Sequence, residues 1–326
     1  MAWRSRPGKV VLAVLAVALA VALGACTRPA TRDTATNGSG PIRVAVGIDA
    51  SFAAFFLADQ EGMFRDAGLD VELVQFGRGG EAVDALASGQ VQLAGSSDTT
   101  TISQLRQNPS LRAMFAYEAS GDYIKVVLRT GITGPADIRK VGVVPGLGQI
   151  STDKYLRAHG VPAGAVEMIS ATPSDMPALL ARGDIDGYVL WEPWPSTAVA
   201  QGTGHVVAVT GDYDWFYHHW AISTQPWLTA NPDQAQQFAQ VLAAASARVE
   251  QDPALAAAAT KAAVNVDEEQ TVAAVGEIDF GVTNLGADDI ASAQTIVDFY
   301  QDIGVLSEQP DLRSAMLLDW YKEEKK

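Results

Sequence analysis

The sequence has little cysteine: a single residue, Cys26, among 326. One cysteine excludes an intramolecular disulfide and a cysteine-rich metal site, and it leaves no thiol elsewhere in the chain as a nucleophile. Only four histidines occur, and the adjacent pair His218 and His219 would point to opposite faces of a strand, which disfavours joint metal ligation. Neither a Gly-x-Ser-x-Gly nor a His-Glu-x-x-His motif is found. The sequence therefore predicts no catalytic residues, no metal and no cofactor.

Basic residues are also scarce. The 23 lysines and arginines stand against 38 aspartates and glutamates, which gives a net charge of −15. This excess of negative charge disfavours nucleic acid or anionic lipid as the main partner. Two glycine-rich turns, at residues 77–80 and 146–148, do not complete the dinucleotide-binding fingerprint, and no lysine follows them in P-loop order. Nucleotide binding is therefore not expected.

Long apolar runs are missing except for one near the amino terminus, so the sequence does not predict a channel or permease. That run, residues 10–23, is about 14 residues long, shorter than the roughly 20 needed to span hydrocarbon. It follows the basic residues Arg4, Arg6 and Lys9 and ends in the tetrapeptide LGAC at Cys26. A short apolar core behind a basic start is typical of a secretory signal peptide.

The LGAC tetrapeptide resembles the bacterial lipoprotein box. We therefore expect residues 1–25 to be a signal peptide, Cys26 to carry a diacylglyceryl group, and residues 26–40, rich in Thr, Gly and Ser, to form a flexible tether. The mature protein would then be extracytoplasmic, anchored to the bacterial cell membrane by its lipid. The alternative is an ordinary secretory signal with a cysteine nearby by chance.

Beyond residue 41, short β-branched runs alternate with helical stretches, in two rounds that restart near residue 141. This alternation predicts an α/β fold with parallel sheets and crossover helices. Residues 233–326 are expected to be almost wholly helical, with proline-containing helix starts. The segment of about 285 residues is long enough for two lobes. We expect the chain to cross at about 120–122 and return at about 219–223, giving lobe I from residues 41–120 plus 221–326 and lobe II from residues 121–220.

Four strand-to-helix turns are rich in small and hydroxyl residues. In open parallel sheets, ligands bind at such turns because backbone N–H groups and helix dipoles point outward there. Each turn alone is weak evidence, since tight turns and helix N-caps use the same residue types for structural reasons. Three turns would belong to lobe I and one to lobe II: residues 49–52, 77–80, 95–100 and 146–149.

A second candidate feature is the segment 188–194, in which a strand ends in Trp191, Glu192, Pro193 and Trp194. The flat face of a tryptophan can cover a small ligand. The structural alternative has Trp194 packing onto the lobe and Glu192 capping a helix. The aromatic group at residues 215–220 lies near the expected return crossing, where it would either line the cleft or pack in the hinge.

Three blocks of the sequence resemble the nitrate/sulfonate/taurine-binding family of ABC transporter solute receptors, and a fourth does so more weakly. Together they cover most of residues 42–200, and they specify the family better than its ligand. The three blocks are residues 57–73 (LADQEGMF continuing to GLDVEL), 81–97 (EAVDALASGQVQLAGSS) and 178–193 (ALLARGDIDGYVLWEP), and the weaker one is 143–160.

The resemblance implies a two-lobed, periplasmic-binding-protein-like fold with two hinge-crossing strands and a helical carboxyl-terminal segment. It also implies a monomer that closes on a small-molecule ligand and delivers it to an ABC permease and its ATPase. Family ligands are small oxyanions, sulfonates, taurine or pyrimidine-type precursors. The positions that would contact the ligand are Ser51, Phe52, Arg78, Gly79, Ser96, Ser97, Thr99, Gln149, Trp191 and Glu192.

Glu192 disfavours a simple anion as the ligand, because an unpaired carboxylate facing the anion would repel it. The hypothesis is that Glu192 or Asp98 receives a cationic or N–H group, as in a zwitterion or a nitrogen heterocycle. A related enzyme branch makes the thiamine pyrimidine with a Cys-rich segment, which this chain lacks, and a transcription-factor effector would need a helix-turn-helix that residues 1–40 cannot supply. A ligand-sensing lipoprotein without a transport role stays open.

Overall fold

The computed structural model describes residues 40–162 and 164–323. The expected signal peptide, Cys26 and nearly all of the expected tether lie outside the described residues. Among the residues that are described, no helix combines the length and the apolar character needed to cross a membrane.

Eleven strands in the described ranges form two sheets of six and five strands. Most coincide with the β-branched runs of the sequence. Their bounds are β1 Ile42–Val46, β2 Val71–Gln75, β3 Leu93–Ser97, β4 Leu111–Ser120, β5 Lys125–Arg129, β6 Lys140–Val143, β7 Glu167–Ser170, β8 Gly187–Leu190, β9 Gly204–Val209, β10 Tyr217–Thr224 and β11 Asp279–Thr283.

The helices of the described residues connect these strands and cover the sheets. Short 3₁₀ turns lie at Ala50–Phe52, Pro135–Asp137, Pro173–Asp175 and Thr210–Tyr213. The α-helices are α1 Ala53–Gln60, α2 Met63–Asp66, α3 Gly79–Ala87, α4 Asp98–Gln104, α5 Leu147–Ala158, α6 Met176–Arg182, α7 Trp194–Ala200, α8 Gln225–Ala230, α9 Pro232–Gln251, α10 Pro253–Val264, α11 Glu268–Val275, α12 Ala287–Asp302 and α13 Leu312–Ala315.

The first sheet has the strand order β11-β4-β10-β3-β1-β2. Strands β2, β1 and β3 run parallel, as strand–helix alternation predicts, while β10 is antiparallel to both β3 and β4. The second sheet has the order β7-β6-β8-β5-β9, with β7, β6 and β8 parallel and β5 antiparallel to β8 and β9. The predicted mixed α/β class is confirmed.

Two connections join the sheets. The first, between β4 and β5, spans residues 121–124 and agrees with the expected crossing. The return runs through residues 210–216, between β9 and β10. It therefore precedes the predicted return at 219–223, because residues 217–223 already pair with β3 and β4 in the first sheet. Residues 215–220 form a run of aromatic and histidine residues without apolar–polar alternation, so the sequence pattern did not predict where β10 begins.

Two further predictions of local structure need correction. The carboxyl-terminal segment is mostly helical, as predicted, but it contains one strand, β11, which pairs antiparallel with β4 at the edge of the first sheet. The apolar helix expected over residues 52–67 is divided into α1 and α2 at Gly62, whose φ of 72° lies in the left-handed region. Glycine adopts that conformation without the steric cost that a Cβ carries.

The core beside β1 and β10 is aromatic. Phe55 packs edge to face on Tyr117, with 5.0 Å between ring centroids, and Phe52 lies 5.7 Å from the ring of His219. Phe55 and Tyr117 are fully buried. Gly95 on β3 leaves room for this group, because a Cβ there would come within 2.8 Å of both Phe52 and the Tyr117 hydroxyl. The glycine in the Gly-Ser-Ser motif is thus explained by packing.

Candidate ligand-binding site

A cavity of about 690 Å³ lies where strand ends of the two sheets meet. From the first sheet it is lined by residues that follow β1, β2 and β3, and from the second by residues that follow β6, β7 and β8. All six are parallel-sheet strands, and each contributes its carboxyl end. This is the position at which open α/β sheets hold ligands.

The turns of the two sheets approach each other directly at this cavity. A Cβ on Gly146, which precedes α5 of the second sheet, would lie 3.1 Å from Oγ1 of Thr100 in α4. Gly146 has a φ of 93°, which a residue with a side chain rarely adopts. The 95–100 and 146–149 turns therefore open onto one shared space.

Seven of the ten predicted contact positions line this cavity and three do not. Those in the lining come from both sheets: Ser51, Phe52, Arg78, Gly79, Ser96, Ser97 and Trp191. Thr99, Gln149 and Glu192 are placed elsewhere. Thr99 is buried with its hydroxyl 3.0 Å from that of Ser97, and Gln149 lies in the first turn of α5.

Glu192 is turned toward the protein itself. Its Oε1 lies 2.7 Å from Nζ of Lys125, and its Oε2 accepts from the backbone N–H of Ser196 in α7. It is 7% exposed. The carboxylate is thus already paired and caps a helix, as the structural alternative had it, and the hypothesis that it receives a ligand cation is not supported by this geometry.

Lys125 joins Glu192 to the other sheet. Its Nζ also lies 2.7 Å from Oε1 of Glu277, which precedes β11. Burial lowers the pKa of Lys125, but the hydrogen bonds and charges of the two glutamates outweigh it and raise that pKa. Burial raises the pKa of Glu277, although Lys125 opposes this. The three side chains form one ion-pair group between the sheets.

Asp98, the other carboxylate considered for a ligand cation, is also satisfied internally. It is 1% exposed, and its Oδ2 accepts from the backbone N–H of His218. Arg78 does reach the cavity, but at its rim, where its guanidinium pairs with Glu81 at 2.7 Å. A charge-assisted contact from Arg78 to a ligand would have to compete with that pair.

The cavity is also lined by residues that were not among the ten predicted contact positions, although they lie in the 49–52 turn and in the aromatic group at 215–220, which therefore lines the cavity. Asp49, Tyr217 and His219 line it together with Ser51, and we call these four residues the polar floor. Ser51 and Tyr217 are at most 1% exposed. Tyr217 and His219 are separated by two positions on β10, so both face the same side of the strand. That alternation in the run of residues 215–220 is the signal that could have found them.

The polar floor is backed by a buried acid. His219 Nδ1 forms a hydrogen bond with Oε1 of Glu118, which is 1% exposed. Burial lowers the pKa of His219, but the carboxylates of Glu118, Asp49 and Asp98 together raise it above its ordinary value. Burial raises the pKa of Glu118, with His219 acting in the opposite direction. His219 and Glu118 therefore form a buried acid–base pair behind the cavity.

The remaining wall is largely aromatic and apolar. Trp191 and Trp194 contribute from the second sheet, and Tyr123 from the connection between the sheets. A space of this size, with flat apolar walls and few convergent polar groups, suits an organic molecule with an apolar body. In the described ranges, no three histidine, cysteine, aspartate or glutamate side chains are placed to hold a metal ion.

Two sheets joined by two connections, with a cavity at the carboxyl ends of strands from both, define a periplasmic-binding-protein-like fold. Comparison with protein families gives the particular one. A family model described as NMT1/THI5 like matches residues 49–256, and the chain belongs to this family.

Individual relatives agree with this assignment. The chain is 27% identical over 158 residues to the taurine-binding periplasmic protein of Escherichia coli (strain K12), covering 47% of this chain and 49% of that protein. The match therefore spans about half the length of that curated relative.

Solved structures show the same fold over nearly their whole length. The ligand-binding component of an ABC-type import system from Staphylococcus aureus, with zinc bound, has a TM-score of 0.76 and 15% identity, covering 88% of this chain and 99% of that one. The alkanesulfonate-binding protein SsuA from Xanthomonas axonopodis pv. citri, bound to MOPS, has a TM-score of 0.73 and 18% identity, covering 86% and 99%.

Proposed function

We propose that this chain is the extracytoplasmic solute-binding protein of an ABC importer, and that it binds a small organic ligand rather than catalysing a reaction. The observation that carries the proposal is the single space of about 690 Å³ lined by the carboxyl-terminal strand ends of both sheets. Relatives named for taurine and alkanesulfonate binding, and for an ABC-type import system, support it.

The shape of the cavity favours an organic ligand over a small inorganic oxyanion such as nitrate. Its volume and its aromatic lining, which includes Phe52, Tyr123, Trp191 and Trp194, offer far more apolar surface than nitrate could cover. A sulfonate or aminosulfonate with an apolar body is the first candidate. A nitrogen heterocycle is the second, because the same flat aromatic faces suit ring stacking.

A thermal-shift screen with taurine, an unsubstituted alkanesulfonate, nitrate and an aminopyrimidine tests the proposal. A ligand at a hundredfold excess over its Kd should stabilise the protein by about 2.7 kcal/mol. An organic member of the panel should raise the Tm, and nitrate should do so least. If no compound of any of the four classes shifts the Tm, solute binding is contradicted.

Two glycine variants, one at the cavity and one away from it, test the location of the binding site. Gly146→Ala would place a methyl group 3.1 Å from Thr100 in the cavity, whereas Gly131→Ala, at nearly the same φ of 95°, meets nothing within 4 Å. Both substitutions place a Cβ on a residue with a positive φ, which residues with a side chain rarely adopt. We expect ligand affinity to fall in Gly146→Ala and to stay unchanged in Gly131→Ala, so equal effects would place binding elsewhere.

We further propose that the chain is a lipid-anchored monomer whose sheets belong to two lobes that close on the ligand. Closure would lower the radius of gyration measured by small-angle scattering when the ligand saturates the protein. Cys26→Ala should release the protein from the membrane fraction. Loss of solute uptake on deletion of the gene would support transport, whereas retained uptake with lost signalling would favour a sensor.

A further inference from the structure

The charges around the cavity do not suit a purely anionic ligand. Among the described residues that line it, three carboxylates, Asp49, Glu81 and Asp84, stand against two basic side chains, Arg78 and His219, and His219 is paired with Glu118 behind the floor. Arg78 is already paired with Glu81. No lysine lies in the lining. An anion in this space would meet a net negative surround, and a cation would meet a favourable one.

The polar floor also contains buried polar atoms that lack partners. The Tyr217 hydroxyl has no hydrogen-bond partner among the described residues, although Tyr217 is fully buried and lines the cavity. Ser51 lies near this hydroxyl, but no hydrogen bond of normal geometry joins the two. Behind the floor, Oε2 of Glu118 is likewise unpartnered. Buried polar atoms without partners cost free energy, which a hydrogen-bonding ligand can recover.

Asp49 is the carboxylate placed to receive such a ligand. It follows β1, is partly exposed to the cavity, and accepts hydrogen bonds from the backbone N–H of Ser51 at 2.9 Å and the Tyr123 hydroxyl at 3.3 Å. Burial raises its pKa, although the charge of His219 and these hydrogen bonds lower it. Its carboxylate is therefore held at a cost, which a nearby positive charge would relieve.

We infer that the polar floor binds a positively charged nitrogen of the ligand, an ammonium or a protonated ring nitrogen, with Asp49 as its counter-ion and the Tyr217 hydroxyl oxygen as a hydrogen-bond acceptor. Phe52, 5.7 Å from His219, and Tyr123, 6.4 Å from Tyr217, are aromatic rings at the same end of the cavity, where cation–π attraction would add to this contact. The inference rests on the proposed function and adds the chemical class of one end of the ligand. It assigns to Asp49 the role that the sequence suggested for Glu192 or Asp98.

The test uses one skeleton with three different ends: phenethylammonium, 2-phenylethanol and 2-phenylethanesulfonate. Titration calorimetry on the purified protein should show the ammonium binding about tenfold more tightly than the alcohol, since a charge-assisted hydrogen bond replaces a neutral one. Taurine and ethanesulfonate, which differ only in the amino group, form a second pair with the same expected direction.

Two variants separate the floor from the rim. Asp49→Asn keeps an acceptor for the Ser51 N–H but removes the charge, and it should abolish the advantage of the ammonium over the alcohol. Asp84→Asn removes an exposed carboxylate at the rim and should leave that advantage in place. Tyr217→Phe should weaken ammonium binding less than Asp49→Asn does, because a neutral hydrogen bond is weaker than a charged one. The unfolding curve of each variant shows whether it has folded.

The outcomes distinguish this inference from the proposed function. If 2-phenylethanesulfonate binds more tightly than phenethylammonium, or ethanesulfonate more tightly than taurine, and Asp49→Asn raises the affinity for that sulfonate further, the cation inference is overturned while solute binding stands. If Asp84→Asn and Asp49→Asn lower ammonium affinity equally, the contact is general electrostatics and not the floor, which also overturns the inference. Absence of binding by every compound would contradict both.

Discussion

The two sides of the cavity hold their polar groups differently. On the first-sheet side, Asp49, Tyr217 and His219 turn polar atoms toward the space, and the Tyr217 hydroxyl has no partner in the described part of the chain. On the second-sheet side, the charged residue Glu192 is paired inward with Lys125, and Trp191 is presented instead. One side therefore supplies directional contacts and the other supplies an apolar cover.

This division suggests an order of events for capture. A ligand would first be fixed in orientation by the polar first-sheet side, where the groups are buried and held by the aromatic core around Phe55 and Tyr117. In the proposed closure, the second-sheet side would add area. Because apolar cover is less directional than hydrogen bonding, this side tolerates different ligand bodies, whereas the polar floor selects the functional group.

The largest effect is expected where the two sides are joined. Lys125→Met leaves Glu192 and Glu277 as neighbouring carboxylates without their shared cation; the side chains of Lys125 and Glu192 are only 14% and 8% exposed. Breaking a buried ion pair by removing one partner costs about 3–5 kcal/mol. We expect a loss of that size in the free energy of unfolding measured by urea denaturation at neutral pH.

A matched control for this variant lies in the same sheet. Lys140 pairs with Glu167 at 3.6 Å, with the two side chains 52% and 60% exposed. Exposed ion pairs contribute about 0–1 kcal/mol, so Lys140→Met should change stability little. Adding Glu192→Gln and Glu277→Gln to Lys125→Met should restore part of the loss. Similar small effects for Lys125→Met and Lys140→Met would show that the sheets are not joined by this group.

The next effect tests whether the second-sheet side acts as cover. Trp191→Ala removes a large flat surface from the cavity wall, and we expect the best-binding compound of the screen to lose about tenfold in affinity, or roughly 1.4 kcal/mol. Calorimetric titration measures it. Trp227, half-buried and outside the lining, provides the control: Trp227→Ala should change stability without changing affinity. Unchanged affinity in Trp191→Ala would show that Trp191 does not cover the ligand.

A smaller effect is expected within the first-sheet side. Ser97 caps α4, and its Oγ accepts from the backbone N–H of Thr100 at 3.2 Å. Replacing such a cap with alanine costs about 1 kcal/mol. Ser97→Ala should therefore lower the free energy of unfolding by at least that amount in urea denaturation, because it also removes hydrogen bonds to the Thr99 and Thr100 hydroxyls. Ser96→Ala is the control, since the Ser96 hydroxyl makes only a 3.4 Å contact to the Ser97 carbonyl; an equal loss would argue against capping.

The sequence predicted the parts of the molecule that depend on local patterns. The parallel strands and their turns follow from hydrophobic periodicity and small residues, and the predicted contact positions Ser51, Ser96 and Trp191 lie in the cavity lining. What periodicity could not supply was the direction of long charged side chains. Glu192 follows a strand in the same way as Asp49, and only the presence of Lys125 from β5 turns one inward while the other faces the cavity.

The sequence also failed to predict strands that lack an apolar–polar alternation. β10 reads as an aromatic and histidine run because it is central in the first sheet, between β3 and β4, and is covered on both faces. β11 contains Asp279 and Gly281 and pairs only at the sheet edge, so its β-propensity is low. In both strands, partners far away in sequence decide the conformation, and the spacing of Tyr217 and His219 in β10 is the only local signal.

The smallest expected effect is the pH dependence of stability that His218 contributes; His218 is the histidine of β10 that does not line the cavity. His218 points away from the cavity floor, with Nδ1 3.8 Å from Oδ2 of Asp98. Its interaction with Asp98 raises its pKa, burial acts in the opposite direction, and the charges of Asp289 and Glu118 add to the rise. A histidine with a raised pKa contributes stability that is fully present below its ordinary pKa of 6.5 and is lost as the pH rises through the raised value.

His218→Gln removes that titration while His219 titrates in both proteins, so the difference between their unfolding free energies isolates His218. We expect wild type to exceed the variant by less than about 1 kcal/mol at about pH 6, because the side chain is 29% exposed, and the gap to narrow toward about pH 9. Urea denaturation across that range measures it. His205→Gln, on the exposed edge strand β9, is the control for replacing a histidine outside the site. A gap for His218→Gln that widens as the pH rises would contradict a raised pKa for His218 in the folded protein.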